Sequence, residues 1–230
     1  MGSNIWLILI SLVSYLLGSL PSSYFITQKM AGEDIRLGGS GNIGAMNAYR
    51  LIRDEKSTSL AVIGFILALT GDMGKGVLAI FVARWLNFLG YNLGLALIIS
   101  GFFVVLGHNY SVFFKFRQGG RGISSLGGVV LALNPLAFLI GLGTLLFSIL
   151  LTQYLLVARI NWRKFSELFS VAGSQVVGRV IGLAIALIPL YFFGLELFLP
   201  ALAADALVLI KHVERVKAYI GELGASRGKG

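Results

Sequence analysis

Long apolar stretches alternate with short polar segments along the whole chain of 230 residues. A helix needs about 20 apolar residues to cross the roughly 30 Å hydrocarbon layer of a membrane. Seven stretches come near this length, so the pattern predicts an all-α integral membrane protein with about seven transmembrane helices. The predicted spans are 4–27, 57–86, 91–114, 123–143, 143–160, 172–190 and 191–212, with a turn near Leu142 between the fourth and the fifth.

Composition supports an integral membrane protein and excludes an ordinary soluble domain. Hydrophobic residues make up 57% of the chain and charged residues only 13%, whereas soluble domains carry about 25% charged residues. The chain has no cysteine and only two histidines, so we expect no disulfide, no metal site and no cofactor. The net charge of +9 favours contact with membrane lipid headgroups or anionic substrates, and no motif indicates nucleic-acid binding.

The distribution of basic residues predicts the orientation of the helices. Sixteen of the nineteen lysines and arginines fall in the four segments 29–56, 115–121, 159–164 and 211–229. Loops rich in lysine and arginine remain on the cytoplasmic side of a membrane. We therefore expect the N-terminus outside, the C-terminus in the cytoplasm and any active site at the cytoplasmic face. Residues 1–222 are predicted to form a single membrane domain, and 223–230 a disordered tail.

Two glycine-rich loops carry the candidate chemistry. The first, 38-GGSGNIGAMNAYR-50, combines glycines with the donors Ser40, Asn42 and Asn47 and with Arg50. Glycine lets backbone N–H groups approach a ligand closely, and arginine adds a planar, positively charged guanidinium group. The loop is therefore typical of an anion-binding site.

The second loop, 115-KFRQGGRGISSLGG-128, repeats this chemistry with Arg117 and Arg121 around three glycines. Two anion sites on one membrane face indicate two anionic groups, or one group transferred between a donor and an acceptor. Neither loop matches the nucleotide-binding patterns G-x-x-x-x-G-K-[ST] or G-x-G-x-x-G. Alternatively, the basic residues of this loop have no ligand and serve only as cytoplasmic membrane anchors.

Four motifs together resemble the PlsY family of acyl-phosphate-dependent glycerol-3-phosphate acyltransferases. The first loop contains 40-SGNIGAMN-47 followed by Arg50, similar to the family pattern S-G-N-x-G-A-x-N. The stretch 72-DMGKG-76 is similar to D-x-x-K-G, and 107-GHNYSVFFKFRQGGRG-122 approaches the family's second loop. His212, in the basic stretch 211-KHVERVKAYIGE-222, matches a C-terminal histidine of the family.

The resemblance implies transfer of a fatty acyl group from acyl phosphate to the 1-hydroxyl of glycerol 3-phosphate, the first step of phospholipid synthesis, in the bacterial cell membrane. Acyl phosphate is already activated, so the protein need only position two anions and stabilise an oxyanion. We expect a monomer. The implied catalytic residues are Ser40, Arg121 and His212; the substrate-binding residues are Gly41, Asn42, Gly44, Asn47, Arg50, Arg117, Gly119, Gly120 and Gly122; and the supporting residues are Asp72, Lys75, His108 and Arg215.

Departures from the family pattern leave other functions open. They are Met46, Ser111, the apparent insertion Gln118, Arg121 in place of a lysine and Arg215 in place of an asparagine. A divergent relative with another phosphorylated acceptor is one alternative. A small transporter or lipid-binding protein is another, since Asp72, Lys75 and Arg179 lie within apolar spans. Asp72 and Lys75 could also simply neutralise one another.

Overall fold

The computed structural model describes residues 2–157, 171 and 175–227, with only the backbone given for 2–4, 214, 215 and 218–227. The basic residues Arg159, Arg163 and Lys164, and the side chain of Arg215, lie outside the described residues. Within the described ranges the chain forms nine α-helices and two short 3₁₀ turns, Leu86–Leu89 and Val112–Phe114. The helices are α1 (Gly2–Ser19), α2 (Ser22–Ala31), α3 (Ala45–Glu55), α4 (Thr58–Trp85), α5 (Leu93–Asn109), α6 (Ile123–Leu133), α7 (Pro135–Val157), α8 (Val176–Phe192) and α9 (Leu195–Arg227).

The apolar helices confirm a multi-pass, all-α membrane protein. Four helical stretches are long and apolar enough to cross a membrane, and α6 and α8 are shorter apolar helices. The helix α9 is 33 residues long and carries Glu196 in its first turn. It continues as far as Arg227 and so includes the first five residues of the segment 223–230. The four long stretches are Ile5–Ala31, Thr58–Leu89, Leu93–Phe114 and Pro135–Leu156.

The predicted turn near Leu142 is wrong, because the chain turns at Asn134 instead. Asn134 has extended backbone angles, and its Oδ1 accepts a hydrogen bond from the N–H of Ala137 at 3.0 Å. A residue before proline is disfavoured in a helix, and asparagine caps the helix that follows. The helix α6 therefore has 11 residues, a length of about 16 Å, and α7 takes up the rest of the apolar run.

The chain also bends at two places that the apolar pattern did not predict. Pro21 precedes α2 and separates it from α1, because proline cannot donate its backbone N–H to a continuing helix. Within the polar segment between the first and second spans, residues Ala45–Glu55 form the helix α3. The first glycine-rich loop therefore lies between α2 and α3.

Glycines allow two pairs of helices to pack backbone against backbone. A Cβ atom placed on Gly128 of α6 would lie 1.9 Å from the carbonyl oxygen of Met73, and one placed on Gly76 of α4 would lie 2.3 Å from that of Ser125. The pair α1 and α5 makes the same reciprocal contact through Gly18 of α1 and Gly107 of α5. Small residues at such positions let transmembrane helices approach closely, which strengthens their van der Waals contact.

Substitution at the α4–α6 contact should destabilise the protein. We expect Gly128→Ala to lower the thermal unfolding midpoint in detergent by about 5 °C or more, because overpacking of a close contact typically costs about 1–3 kcal/mol. The control is Gly74→Ala on α4, where an added Cβ would meet no atom within 4 Å. Equal midpoints for the two variants would contradict this account of the packing.

Candidate active site

The first glycine-rich loop is shaped by the side chain of Asn47. Its Nδ2 donates to the carbonyl oxygens of Ile35 at 3.0 Å and Gly38 at 3.1 Å, and its Oδ1 accepts from the N–H of Ser40 at 2.9 Å. The side chain is 1% exposed. These three hydrogen bonds fold the loop around Asn47, so the loop backbone and Ser40 are held in place.

An ion pair fixes the segment that leads into this loop. Arg36 donates to both carboxylate oxygens of Asp34, with an Nη2–Oδ2 distance of 2.5 Å. This hydrogen bond from Arg36 holds the pKa of the Asp34 carboxyl below its usual value. The guanidinium also lies over the rings of Tyr24 and Phe114, at 5.5 and 5.1 Å from their centroids. Arg36 thus connects the first loop to α2 and to the 3₁₀ turn before the second loop.

The second glycine-rich loop is held against the end of α5. The N–H of Gly120 donates to the carbonyl oxygen of His108 at 2.9 Å, and the N–H of Ile43 in the first loop donates to that of Gly119 at 3.4 Å. A Cβ on Gly120 would overlap the His108 ring, and Gly122 has a φ of +84°. Both positions therefore require glycine, and the two loops lie in direct contact.

A buried polar cluster lies beneath the two loops. Lys75 Nζ is 2.7 Å from Asp72 Oδ1, and Ser23 of α2 donates to Asp72 Oδ2 at 3.0 Å. Ser125 of α6 donates to the carbonyl oxygen of Asp72 at 3.1 Å, and His108 Nδ1 is 3.8 Å from Asp72 Oδ1. The cluster ties together the helices that carry the loops.

The two loops and α9 enclose an open polar cleft of about 230 Å³. Three cationic side chains line it, and none of its described lining residues is acidic. Such a cleft attracts anions, and the backbone N–H groups of glycine-rich loops add hydrogen-bond donors. The lining residues are Ser40, Gly41, Asn42, Arg117, Gln118, Gly119, Gly120, Arg121 and Lys211.

The structure brings seven of the sequence-predicted site residues to this cleft: Ser40, Gly41, Asn42, Arg117, Gly119, Gly120 and Arg121. Others lie nearby without lining it: Gly44 just before α3, Asn47 buried on α3, Arg50 half-buried on α3, and Gly122 before α6. His212 is fully buried, and its Nδ1 lies 2.7 Å from the carbonyl oxygen of Val208. Asp72, Lys75 and His108 belong to the cluster beneath the loops.

Sequence analysis missed two lining residues, Gln118 and Lys211. Lys211 lies within the basic stretch that contains His212, and its Nζ is 3.9 Å from the centroid of the Tyr110 ring. Its position next to a motif histidine was the available signal. Gln118 appeared only as an insertion in the second loop, and no feature of the sequence indicates that it lines the cleft.

Comparison with known proteins identifies the family. The sequence model of the family described as "Glycerol-3-phosphate acyltransferase" matches residues 8–222. The chain belongs to this family. The resemblance noted from the four motifs is thus confirmed, and the protein is an acyltransferase.

Individual relatives cover most of the chain. A glycerol-3-phosphate acyltransferase of Thermosipho melanesiensis is 32% identical over 208 residues, 90% of this chain and 86% of the relative. One of Carboxydothermus hydrogenoformans is 33% identical over 213 residues, 92% of this chain and 91% of the relative. Glycerol-3-phosphate acyltransferase 2 of Moorella thermoacetica is 38% identical over 149 residues, 62% and 68% of the two chains.

Solved structures share the fold. The crystal structure of PlsY (YgiH), an integral membrane glycerol 3-phosphate acyltransferase, in its glycerol 3-phosphate form matches with a TM-score of 0.69 and 24% sequence identity. The match covers 94% of this chain and 93% of that chain. The form with lysophosphatidic acid matches with a TM-score of 0.68. The membrane acyltransferase fold predicted from the sequence is therefore confirmed.

Proposed function

We propose that this acyltransferase moves a fatty acyl group from an acyl phosphate to the 1-hydroxyl of glycerol 3-phosphate, giving lysophosphatidic acid and inorganic phosphate. The observation that carries the proposal is the cleft, in which Arg117, Arg121 and Lys211 converge on two glycine-rich loops and no described lining residue is acidic. Two phosphate groups repel one another, and cations on both sides of a cleft offset that repulsion. The relatives of Thermosipho melanesiensis and Carboxydothermus hydrogenoformans are glycerol-3-phosphate acyltransferases, which agrees with this acceptor.

The chemical step needs positioning more than covalent catalysis. The hydroxyl oxygen of the acceptor attacks the acyl carbonyl carbon, the carbon–oxygen bond to the phosphate breaks, and the phosphate leaves with the bonding electron pair. The glycine-rich backbone and the Ser40 hydroxyl, which line the cleft, supply donors for the developing oxyanion. Holding both substrates in line supplies much of the rate increase.

A substrate phosphate oxygen takes the proton of the attacking hydroxyl in this proposal. The residues that line the cleft include no histidine and no carboxylate among those described. His212 is fully buried one residue beyond Lys211, so it supports the turn of α9 that lies next to the cleft. Arg50 remains a residue that we propose to assist binding of the acceptor phosphate, as the family motif implies, and Arg215, which departs from that motif, remains a proposed supporting residue.

We further propose that residues 1–222 form one monomeric domain that crosses the bacterial cell membrane seven times, with the N-terminus outside and the cleft in the cytoplasm. The supporting observation is that two of the basic segments meet at one cleft, because Arg117 and Arg121 of 115–121 line it together with Lys211 of 211–229. Basic loops favour the cytoplasmic side of the membrane.

The first test is acyl transfer by the purified protein in detergent. Incubation with palmitoyl phosphate and glycerol 3-phosphate should release phosphate and yield lysophosphatidic acid in equal amounts, measured by phosphate assay and mass spectrometry. Palmitoyl-coenzyme A is the control donor and should give no product. Phosphate release without lysophosphatidic acid would indicate another acceptor, and no reaction with any donor would favour a transport or lipid-binding role.

Charge removal inside the cleft should weaken acceptor binding. We expect Arg121→Gln to raise the KM for glycerol 3-phosphate by about tenfold or more, because a hydrogen bond to a charged group is typically worth about 1.5–3 kcal/mol. The matched control is Lys115→Gln, which removes the same charge from an exposed position in the same loop that does not line the cleft. Similar KM values for the two variants would remove Arg121 from the binding site.

The orientation can be tested by labelling, because the chain has no cysteine of its own. Single cysteines at Asn87 and Lys115 would both be exposed. We expect a membrane-impermeant maleimide to label Asn87→Cys in intact cells, and Lys115→Cys only after the membrane is opened. The reverse pattern would place the cleft outside the cell.

A further inference from the structure

A second cavity of about 200 Å³ lies among the helices, separate from the polar cleft. Five helices contribute to its wall: α4, α6, α7, α8 and α9. Its lining consists of aliphatic and aromatic side chains, a methionine and glycines, apart from Ser124 and Asp205. An apolar cavity of this composition suits a hydrocarbon chain.

Asp205 is an unusual residue for such a wall. Its side chain is 1% exposed, and neither carboxyl oxygen has a hydrogen-bond partner among the described residues. The other buried aspartate of the described helices, Asp72, is paired with Lys75 and Ser23. Buried polar groups without partners are rare and costly. A partner supplied by a bound ligand would account for Asp205.

The cavity adjoins the cleft along two helices. On α9, Asp205 lines the cavity and Lys211 lines the cleft, and the rise from one to the other along the helix is about 9 Å. At the start of α6, Ile123 and Ser124 line the cavity, and Arg121 just before them lines the cleft. A ligand with an anionic headgroup in the cleft can therefore extend its chain past Asp205.

We infer that the cavity binds an acyl chain that carries a hydroxyl group part-way along its length, and that Asp205 makes a hydrogen bond to this hydroxyl. A hydroxyl both donates and accepts hydrogen bonds, so it pairs with a carboxyl group in either protonation state. An unsubstituted chain would leave Asp205 without a partner. Asp205 is thus a specificity-determining residue for the acyl donor, and this inference rests on the proposed acyl transfer.

The catalytic test compares palmitoyl phosphate with palmitoyl phosphates hydroxylated at single positions from carbon 6 to carbon 12. We expect kcat/KM to be about tenfold higher for the best hydroxylated donor, the ratio that one hydrogen bond typically supplies. Asp205→Leu should abolish this preference, and Asp205→Asn should retain part of it, since an amide still pairs with a hydroxyl. The control Glu196→Gln, at an exposed acidic residue of the same helix, should leave the preference unchanged.

A binding test separates this inference from the proposed reaction. Hydroxypalmitic acids should raise the thermal unfolding midpoint of the unmodified protein more than palmitic acid does, and Asp205→Leu should remove the difference. Gly141→Leu should reduce stabilisation by both, because Gly141 lines the cavity and an added Cβ there meets no atom within 4 Å.

The outcomes are distinguishable. Acyl transfer without any preference for hydroxylated donors, with equal stabilisation by both acids, would overturn the inference and leave the proposed function intact. Stabilisation that depends on Asp205 without acyl transfer from any donor would support the chain site and overturn the proposed function. Asp205→Asn serves as the second variant if Asp205→Leu fails to fold.

Discussion

The ion pair between Asp72 and Lys75 is the interaction on which the rest of the structure depends. Both side chains are almost completely buried in the middle of α4, where an uncompensated charge would be expensive. Compensation comes from Lys75 within α4 and from Ser23 of α2, which donates to the Asp72 carboxylate, while Ser125 of α6 donates to the main-chain carbonyl oxygen of Asp72. Asp72 thereby fixes α2 against α4 through its carboxylate and α6 against α4 through its main-chain carbonyl. These are the helices from which the first loop departs and into which the second loop leads.

The buried cluster around Asp72 is connected to the cleft by direct contacts. His108 of α5 lies 3.8 Å from Asp72, and its carbonyl oxygen holds the N–H of Gly120. The glycine contact between α4 and α6 sets the start of α6 immediately after Arg121. Asn47 folds the first loop around its own amide, and the N–H of Ile43 joins that loop to the second one. Catalysis by positioning of two anions requires donors that are fixed before the substrates arrive, and this arrangement supplies them.

Local chemistry could be predicted from the sequence, whereas side-chain direction could not. The glycines and donors of the two loops indicated anion binding because that property depends on residues close together in the chain. The break at Asn134 was missed because apolar residues continue on both sides of it, and only the Asn-Pro pair marks the turn. Lys211 and His212 show that the sequence does not reveal which side chain of a helix faces the cleft. Successive helical residues point about 100° apart, so Lys211 faces the cleft while His212 is buried.

The buried ring of His212 helps to fix the part of α9 that lines the cleft. A carbonyl oxygen only accepts hydrogen bonds, so the contact with Val208 at 2.7 Å requires a proton on Nδ1 of His212. This bond restrains the ring within α9. Lys211 is restrained in turn by the Tyr110 ring, through a cation–π contact. The last helix therefore presents a restrained cation to the cleft that the arginines of the second loop also line, so two separate parts of the chain supply positive charge to one anion-binding site.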